Sequence, residues 1–161
     1  MVGERIWAHW RLAYVKDAAK NEGCVFCEAP AAGDDAETLI VHRDRRCFVI
    51  LNLYPYTNGH LMVSPYDHLP RLQDLDSGTV GEMMALAQRS MDVLDEVYAP
   101  EGYNVGVNQG RVAGAGVEGH IHLHVVPRWG GDTNYMPVLA DTRVMPQLLG
   151  ESYRTIKAGF G

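Results

Sequence analysis

His120-Ile121-His122-Leu123-His124-Val125-Val126 is the stretch that decides how this chain is read. Imidazoles alternate with apolar side chains at a period of two, the period of a β-strand. The three histidines then share one face, adjacent ones about 6.5–7 Å apart. Ile121, Leu123 and Val125 point the other way, into a core. The row is internal and interleaved with apolar residues, so it is not an affinity tag. Three chemistries fit it. One is a set of hydrogen-bonded histidines on a half-exposed strand. The second is a metal site using all three, since strand histidines can bind zinc. The third is a catalytic row, in which one imidazole attacks while its neighbours orient it and meet the charge that develops. An imidazole titrates near pH 6.5, so it can attack phosphorus at neutral pH without prior activation. An adjacent group must then accept the growing negative charge.

Outward from the row, the chain breaks into short strand-sized runs and one long helix. Leu39–His42, Cys47–Leu51, His60–Ser64 and Tyr103–Asn108 read as strands, with Tyr135–Leu139 as a last one. His120–Pro127 is the strand that carries the row. Glu28–Glu37 is small and polar and reads as a surface loop. Asn52–Gly59 is a loop marked by Pro55 and Asn58-Gly59. Met83, Met84, Leu86, Ala87, Met91, Val93, Leu94 and Val97 recur at spacings of three and four, which predicts a helix from about Ser77 to Tyr98. Asp74 or Asp76 is its expected cap and Pro100 its stop. Gln109–Gly119 holds four glycines in eleven residues, a loop with special backbone geometry. Pro146 fits the first turn of a C-terminal helix reaching about Lys157. The expected class is α+β: an antiparallel sheet of about five strands, one long helix and a C-terminal helix. Residues 1–161 read as a single domain, with its core over about 5–140 and a helical extension over about 145–158.

Composition narrows the function classes. The chain has 161 residues, 47% hydrophobic and 21% charged, which suits a packed domain and not a disordered one. Its net charge of −6 opposes a nucleic-acid-coating role, which needs a basic surface. It leaves room for a small phosphorylated ligand in a locally positive pocket. Mean hydropathy is −0.16 and no apolar run suggests a membrane span. The opening MVGERIWAHWRLAY lacks the apolar stretch of a signal peptide, so the expected compartment is the cytoplasm. Three cysteines cannot make a disulfide framework without one left over. Cys24 and Cys27 form C-x-x-C, which suggests metal or redox chemistry, although no β-α-β pattern of a redox domain surrounds it. Cys47, in an apolar strand, reads as core.

The row His-φ-His-φ-His-φ-φ, with φ hydrophobic, resembles the signature of the histidine-triad superfamily of nucleotide hydrolases and transferases. Asn108-Gln109-Gly110 before the glycine-rich loop resembles the family's phosphate loop. Asn52-Leu53-Tyr54-Pro55 followed by Gly59-His60-Leu61-Met62-Val63-Ser64-Pro65-Tyr66-Asp67-His68 resembles its nucleotide-binding hairpin. Cys24-Val25-Phe26-Cys27 sits where many members carry C-x-x-C, and Ile6-Trp7-Ala8-His9-Trp10-Arg11 is similar to the opening of bacterial members. The resemblance implies His122 as nucleophile, forming a nucleotidyl-histidine. It implies His124 as the phosphate and leaving-group partner, and His120 as the residue whose carbonyl orients His122. It further implies Asn52 at the ribose, His60 near the pocket, and Asn108 with backbone amides of Ala113–Gly116, around Gly114 and Gly116, at the phosphates. Phe48, Ile50 and Leu61 are either base contacts or plain core.

Two departures from the family pattern matter. Val117 and Gly116 stand where many members carry a polar pair, so a side-chain hydroxyl for the leaving phosphate is missing. Pro127-Arg128-Trp129-Gly130-Gly131-Asp132-Thr133-Asn134 resembles the dinucleoside polyphosphate branch, and most resembles bacterial diadenosine tetraphosphate phosphorylases. Arg128 would add positive charge for a long polyphosphate. Trp129 would stack on a second base, seal an oligomer contact or sit buried as a structural residue. Arg111 would join Arg128 in a local positive site. In zinc-bearing members the ligand positions map onto Cys24, Cys27, His68 and His120, a closed structural Zn²⁺ site; no organic cofactor is implied. The implied ligands are AMP, ADP, ATP or a dinucleoside polyphosphate, and the implied assembly is a homodimer or higher homo-oligomer. The alternatives are a dinucleoside polyphosphate or nucleoside phosphoramidate hydrolase, or a non-catalytic nucleotide-binding module.

Overall fold

The protein is described here from a computed structural model covering residues 23–132 and 147–161. The opening stretch around Trp7, the expected strand Tyr135–Leu139, Pro146, Thr133 and Asn134 lie outside the described residues. Among the described residues five strands form one antiparallel sheet: β1 (Ile40–Arg43), β2 (Cys47–Leu51), β3 (Leu61–Pro65), β4 (Gly102–Val107) and β5 (Leu123–Arg128). Their order is β1-β2-β3-β5-β4, so β3 is central, β5 lies between β3 and β4, and β4 lies at an edge. The helices among the described residues are α1 (Val25–Ala31), α2 (Asp35–Thr38), α3 (Ser77–Tyr98) and α4 (Leu149–Phe160). The expected α+β class holds.

The pleat sorts the sheet into two differently covered faces. On one face Val41, Cys47, Val49, Leu51, Leu61, Val63, Leu123 and Val125 pack against Met83, Leu86, Ala87, Val93 and Leu94 of α3 and Ile156 and Phe160 of α4. Asp76 caps α3 by accepting from the Gly78 and Thr79 amides, and Ala99 ends it in a left-handed conformation at φ 45°. Gly159 lets α4 sit close to α3: a Cβ there would meet Val93 Cγ1 at 2.6 Å. Gly159→Ala gains helix propensity but forces this contact apart. We expect a loss of about 1–2 kcal/mol, seen as a lower urea midpoint at unchanged slope.

Among the described residues, the opposite face is only partly covered. Phe26 and Ala29 of α1 join Ile40, Phe48 and Ile50 in a second, smaller core. Phe48 and Ile50 are buried there, which makes Phe48 core and not a base contact. Further along the same face Met62 stands opposite His124, and Gly106 opposite His124 on the other side. The histidines therefore open on the face that the long helix leaves uncovered.

Two expectations are corrected. Glu28–Glu37 is not a loop throughout: α1 continues to Ala31 and α2 starts at Asp35. Asp34 caps α2 through the Ala36 and Glu37 amides, and Pro30 inside α1 masked that helix in the sequence. The histidine row is not wholly strand either. Pairing of β3 with β5 begins at Val63↔Leu123, and His120–His122 precede it. Ile121 N–H there donates to the Leu69 carbonyl at 2.7 Å instead of to a neighbouring strand.

Candidate active site

His122 is buried, 4% exposed, and its Nδ1 lies 2.9 Å from the backbone carbonyl of His120. A carbonyl only accepts, so Nδ1 carries the proton and Nε2 keeps its lone pair. Burial pushes the His122 pKa below the ordinary 6.5, against the smaller opposing effect of that hydrogen bond. The imidazole is thus neutral at pH 7, with a defined nucleophilic nitrogen.

A second chain of hydrogen bonds defines His124. The Tyr56 N–H donates to His60 Nδ1 at 3.1 Å, and the Asn52 amide approaches the same nitrogen at 3.3 Å. His60 Nδ1 is therefore an acceptor, and in the neutral ring the proton sits on Nε2. That N–H faces His124 Nδ1 at 2.9 Å, which leaves His124 with its own proton on Nε2. The His122 and His124 rings meet edge to face with centroids 4.9 Å apart. A lone pair on one imidazole thus adjoins a transferable proton on the next, the pairing that nucleophilic displacement with a protonated leaving group requires.

The third histidine faces elsewhere. His120 donates from Nε2 to the Pro65 carbonyl at 2.9 Å, so its Nδ1 lone pair points at Cys24 Sγ (3.3 Å) and Cys27 Sγ (3.5 Å). Cys27 Sγ lies 3.3 Å from His68 Nδ1. All four ligand atoms fall within 4.8 Å of one another. A tetrahedral ion with metal–sulfur and metal–nitrogen bonds of about 2.3 and 2.0–2.1 Å needs sulfur–nitrogen separations near 3.5 Å. The donor set and spacing fit such an ion. His68 Nε2 is turned towards Gly119, whose missing Cβ lets the ring approach.

The remaining expected residues are distributed unevenly. Asn108 follows β4, half-buried, beyond the Val107↔Leu123 pair. The glycine loop is a preformed turn and not an open row of donors. The Ala113 and Ala115 amides donate to the Gly110 carbonyl, and the Gly114 amide to Arg111. Gly114 holds a left-handed φ of 89° that a side chain would resist. Asn52 uses its amide oxygen on the Tyr54 N–H and its nitrogen towards His60, so it braces the hairpin loop. Arg128 forms a two-pronged pair with Asp132 at 2.5 and 2.9 Å and reaches Asn104, so its charge is met locally. Arg111 is exposed, 4.0 Å from Glu118. Trp129 is half-buried, its N–H held by Asp132, and not a fully buried core residue. Two neighbours escaped the sequence. Tyr56 packs on His60 and His124, and Phe26 on His120 and His122. Their only signal was position, Tyr56 within the hairpin loop and Phe26 within C-x-x-C.

These features define a class: an α+β protein with a buried nucleophilic imidazole paired to a proton-bearing one, beside a Cys₂His₂ metal pocket. The chain belongs to the HIT domain family, whose profile matches residues 34–131. It is 38% identical over 161 residues to a Mycobacterium tuberculosis protein named AP-4-A phosphorylase, covering 95% of this chain and 82% of that one. It is 35% identical over 81 residues to the bis(5'-adenosyl)-triphosphatase of Dictyostelium discoideum, covering 50% of this chain and 54% of that one. The solved structure of a Zn-bound histidine triad family protein from Mycobacterium smegmatis superposes with a TM-score of 0.69 at 35% identity, over 85% of this chain and 92% of that one. Among the described residues, no helix is long and apolar enough to cross a membrane.

Proposed function

We propose that the whole chain is one histidine-triad domain that cleaves dinucleoside polyphosphates, with diadenosine tetraphosphate as substrate and inorganic phosphate as acceptor. The observation that carries this is the proton placement on two adjacent rings, His122 with its lone pair on Nε2 and His124 with its proton on Nε2. Similarity to AP-4-A phosphorylase supports the substrate class. His122 Nε2 attacks an α-phosphorus, the bond to the bridging oxygen breaks, and His124 gives its proton to that oxygen as ATP departs. The adenylyl-His122 intermediate then passes AMP to phosphate, giving ADP, and the nitrogen–phosphorus bond breaks. On this reading Asn108 and the turn around Gly114 and Gly116 would meet the phosphates, and Trp129 the second base, as in the family pattern the sequence resembles.

Zinc at Cys24, Cys27, His68 and His120 would be structural, tying α1 to the segment before β5 and supplying no reacting position. The Zn-bound relative and the ligand spacing support it. A homodimer through the β4 edge and α3 is supported by the exposed Val105 and Met84 there, and a cytoplasmic location by the substrate. The experiment is product analysis with diadenosine tetraphosphate, with and without inorganic phosphate. ADP plus ATP appearing only with phosphate is the expected result. AMP plus ATP in both would make the enzyme a hydrolase, and no turnover of any dinucleotide would leave only a binding module.

A further inference from the structure

The His122 ring meets His120, Phe26 and His124, and the first two of these lie in or beside the metal pocket. Its edge is held by the carbonyl of His120, a candidate metal ligand. Its face is held by Phe26, whose ring centroid lies 4.6 Å away at an interplanar angle of 32°. Phe26 stands between the candidate ligands Cys24 and Cys27, is 1% exposed, and also packs on the His120 ring at 5.4 Å. The turn that brings the two thiols together, with Cys27 and Glu28 amides both donating to the Cys24 carbonyl, is the same turn that aims Phe26 inward. Val25, its neighbour, faces outward at 49% exposed.

We propose that Phe26 is a positioning residue for His122, and that a metal ion on Cys24, Cys27, His68 and His120 fixes both anchors of that ring at once. The inference rests on His122 being the nucleophile. An imidazole bonded at one edge nitrogen can still swing about that bond. A tilted aromatic ring packed against its face limits this swing and helps keep Nε2 on line with an incoming phosphorus. The metal pocket then acts on the chemistry without touching substrate.

The test uses ¹⁵N-histidine-labelled protein, metal-loaded and metal-stripped, with Phe26→Leu and Phe26→Met as non-aromatic fillers. Two variants guard against one failing to fold. Loaded wild type should give a single sharp set of His122 ring resonances, protonated at Nδ1. Loaded Phe26→Leu should keep its full metal content while that set broadens or doubles. Its kcat should fall about 10- to 100-fold with KM changed less than about threefold. Stripping metal from wild type should broaden the same set while the sheet amides stay in place. Loaded variants with an unchanged His122 set and kcat would overturn the role of Phe26. An unchanged set in stripped wild type would overturn the metal's role. Were wild type to turn over no dinucleotide, the functional reading would fail, and the ring spectra would still decide the positioning.

Discussion

His122→Ala is expected to lower turnover of dinucleoside polyphosphate by at least about 10³-fold while nucleotide still binds. The size follows from the lack of a substitute. His124 is the nearest imidazole, but its Nδ1 lone pair faces the His60 N–H. His120 has one nitrogen on the Pro65 carbonyl and the other aimed at the cysteines. Neither can offer an unoccupied lone pair where Nε2 of His122 stands. Steady-state product formation and calorimetric titration with a nucleotide separate the two effects. A variant that kept even a tenth of the wild-type rate would remove His122 from the mechanism. The wild-type pH profile should carry the same mark. Burial lowers the His122 pKa below 6.5, so the acid limb of kcat/KM should fall below pH 6.5 and not at it. The sign for stability agrees. A histidine kept neutral by the fold contributes stability above 6.5 and loses it as pH falls from there through the folded value. His42, also lowered by burial, adds to that slope.

How far the sequence reaches is clearest at particular residues. The period of three and four placed α3 at Ser77–Tyr98, and Asp76 caps it as one of the two expected residues. Cys47–Leu51 is a strand over its expected span. Such elements are legible because one buried face imposes one period. The helix through Glu28–Ala31 was not, because Pro30 and a run of alanines carry no periodic signal in so few residues. The four metal-pocket residues were named from resemblance, and the structure gathers them. What sequence could not supply was direction. A period of two places three histidines on one side of a strand, but it does not show that His120 turns to the cysteines, which depends on the Pro65 carbonyl at the end of β3. Nor does it show that Arg128, expected to meet phosphate, meets Asp132 instead. Partners four residues apart can compete with a ligand, and only the backbone path between them decides.

Removing the metal should lower the melting temperature by about 10 °C. The segment it holds has little else to keep it in place. The helix α1 has seven residues, well short of the roughly 12–15 at which an isolated helix becomes even marginal. Its buried residues Phe26 and Ala29 belong to the smaller core, with Ile40, Phe48 and Ile50. A metal ion would join Cys24 and Cys27 to His68, beyond β3, and to His120, before β5, linking three separated parts of the chain. An ion that binds only the folded state, present at about a thousand times its dissociation constant, contributes about 4 kcal/mol. In a domain of this size each kcal/mol shifts the midpoint by about 2–4 °C. The measurement begins with metal content, expected at one zinc per chain, and follows the melting curve before and after chelation. Cys24→Ala with Cys27→Ala should melt at the chelated temperature and ignore the chelator, whereas Cys47→Ala should retain the chelator response because Cys47 lies in the core under α3. A zinc-loaded protein whose midpoint did not move on chelation would show that the small core holds α1 unaided, and the structural role of the metal would fall.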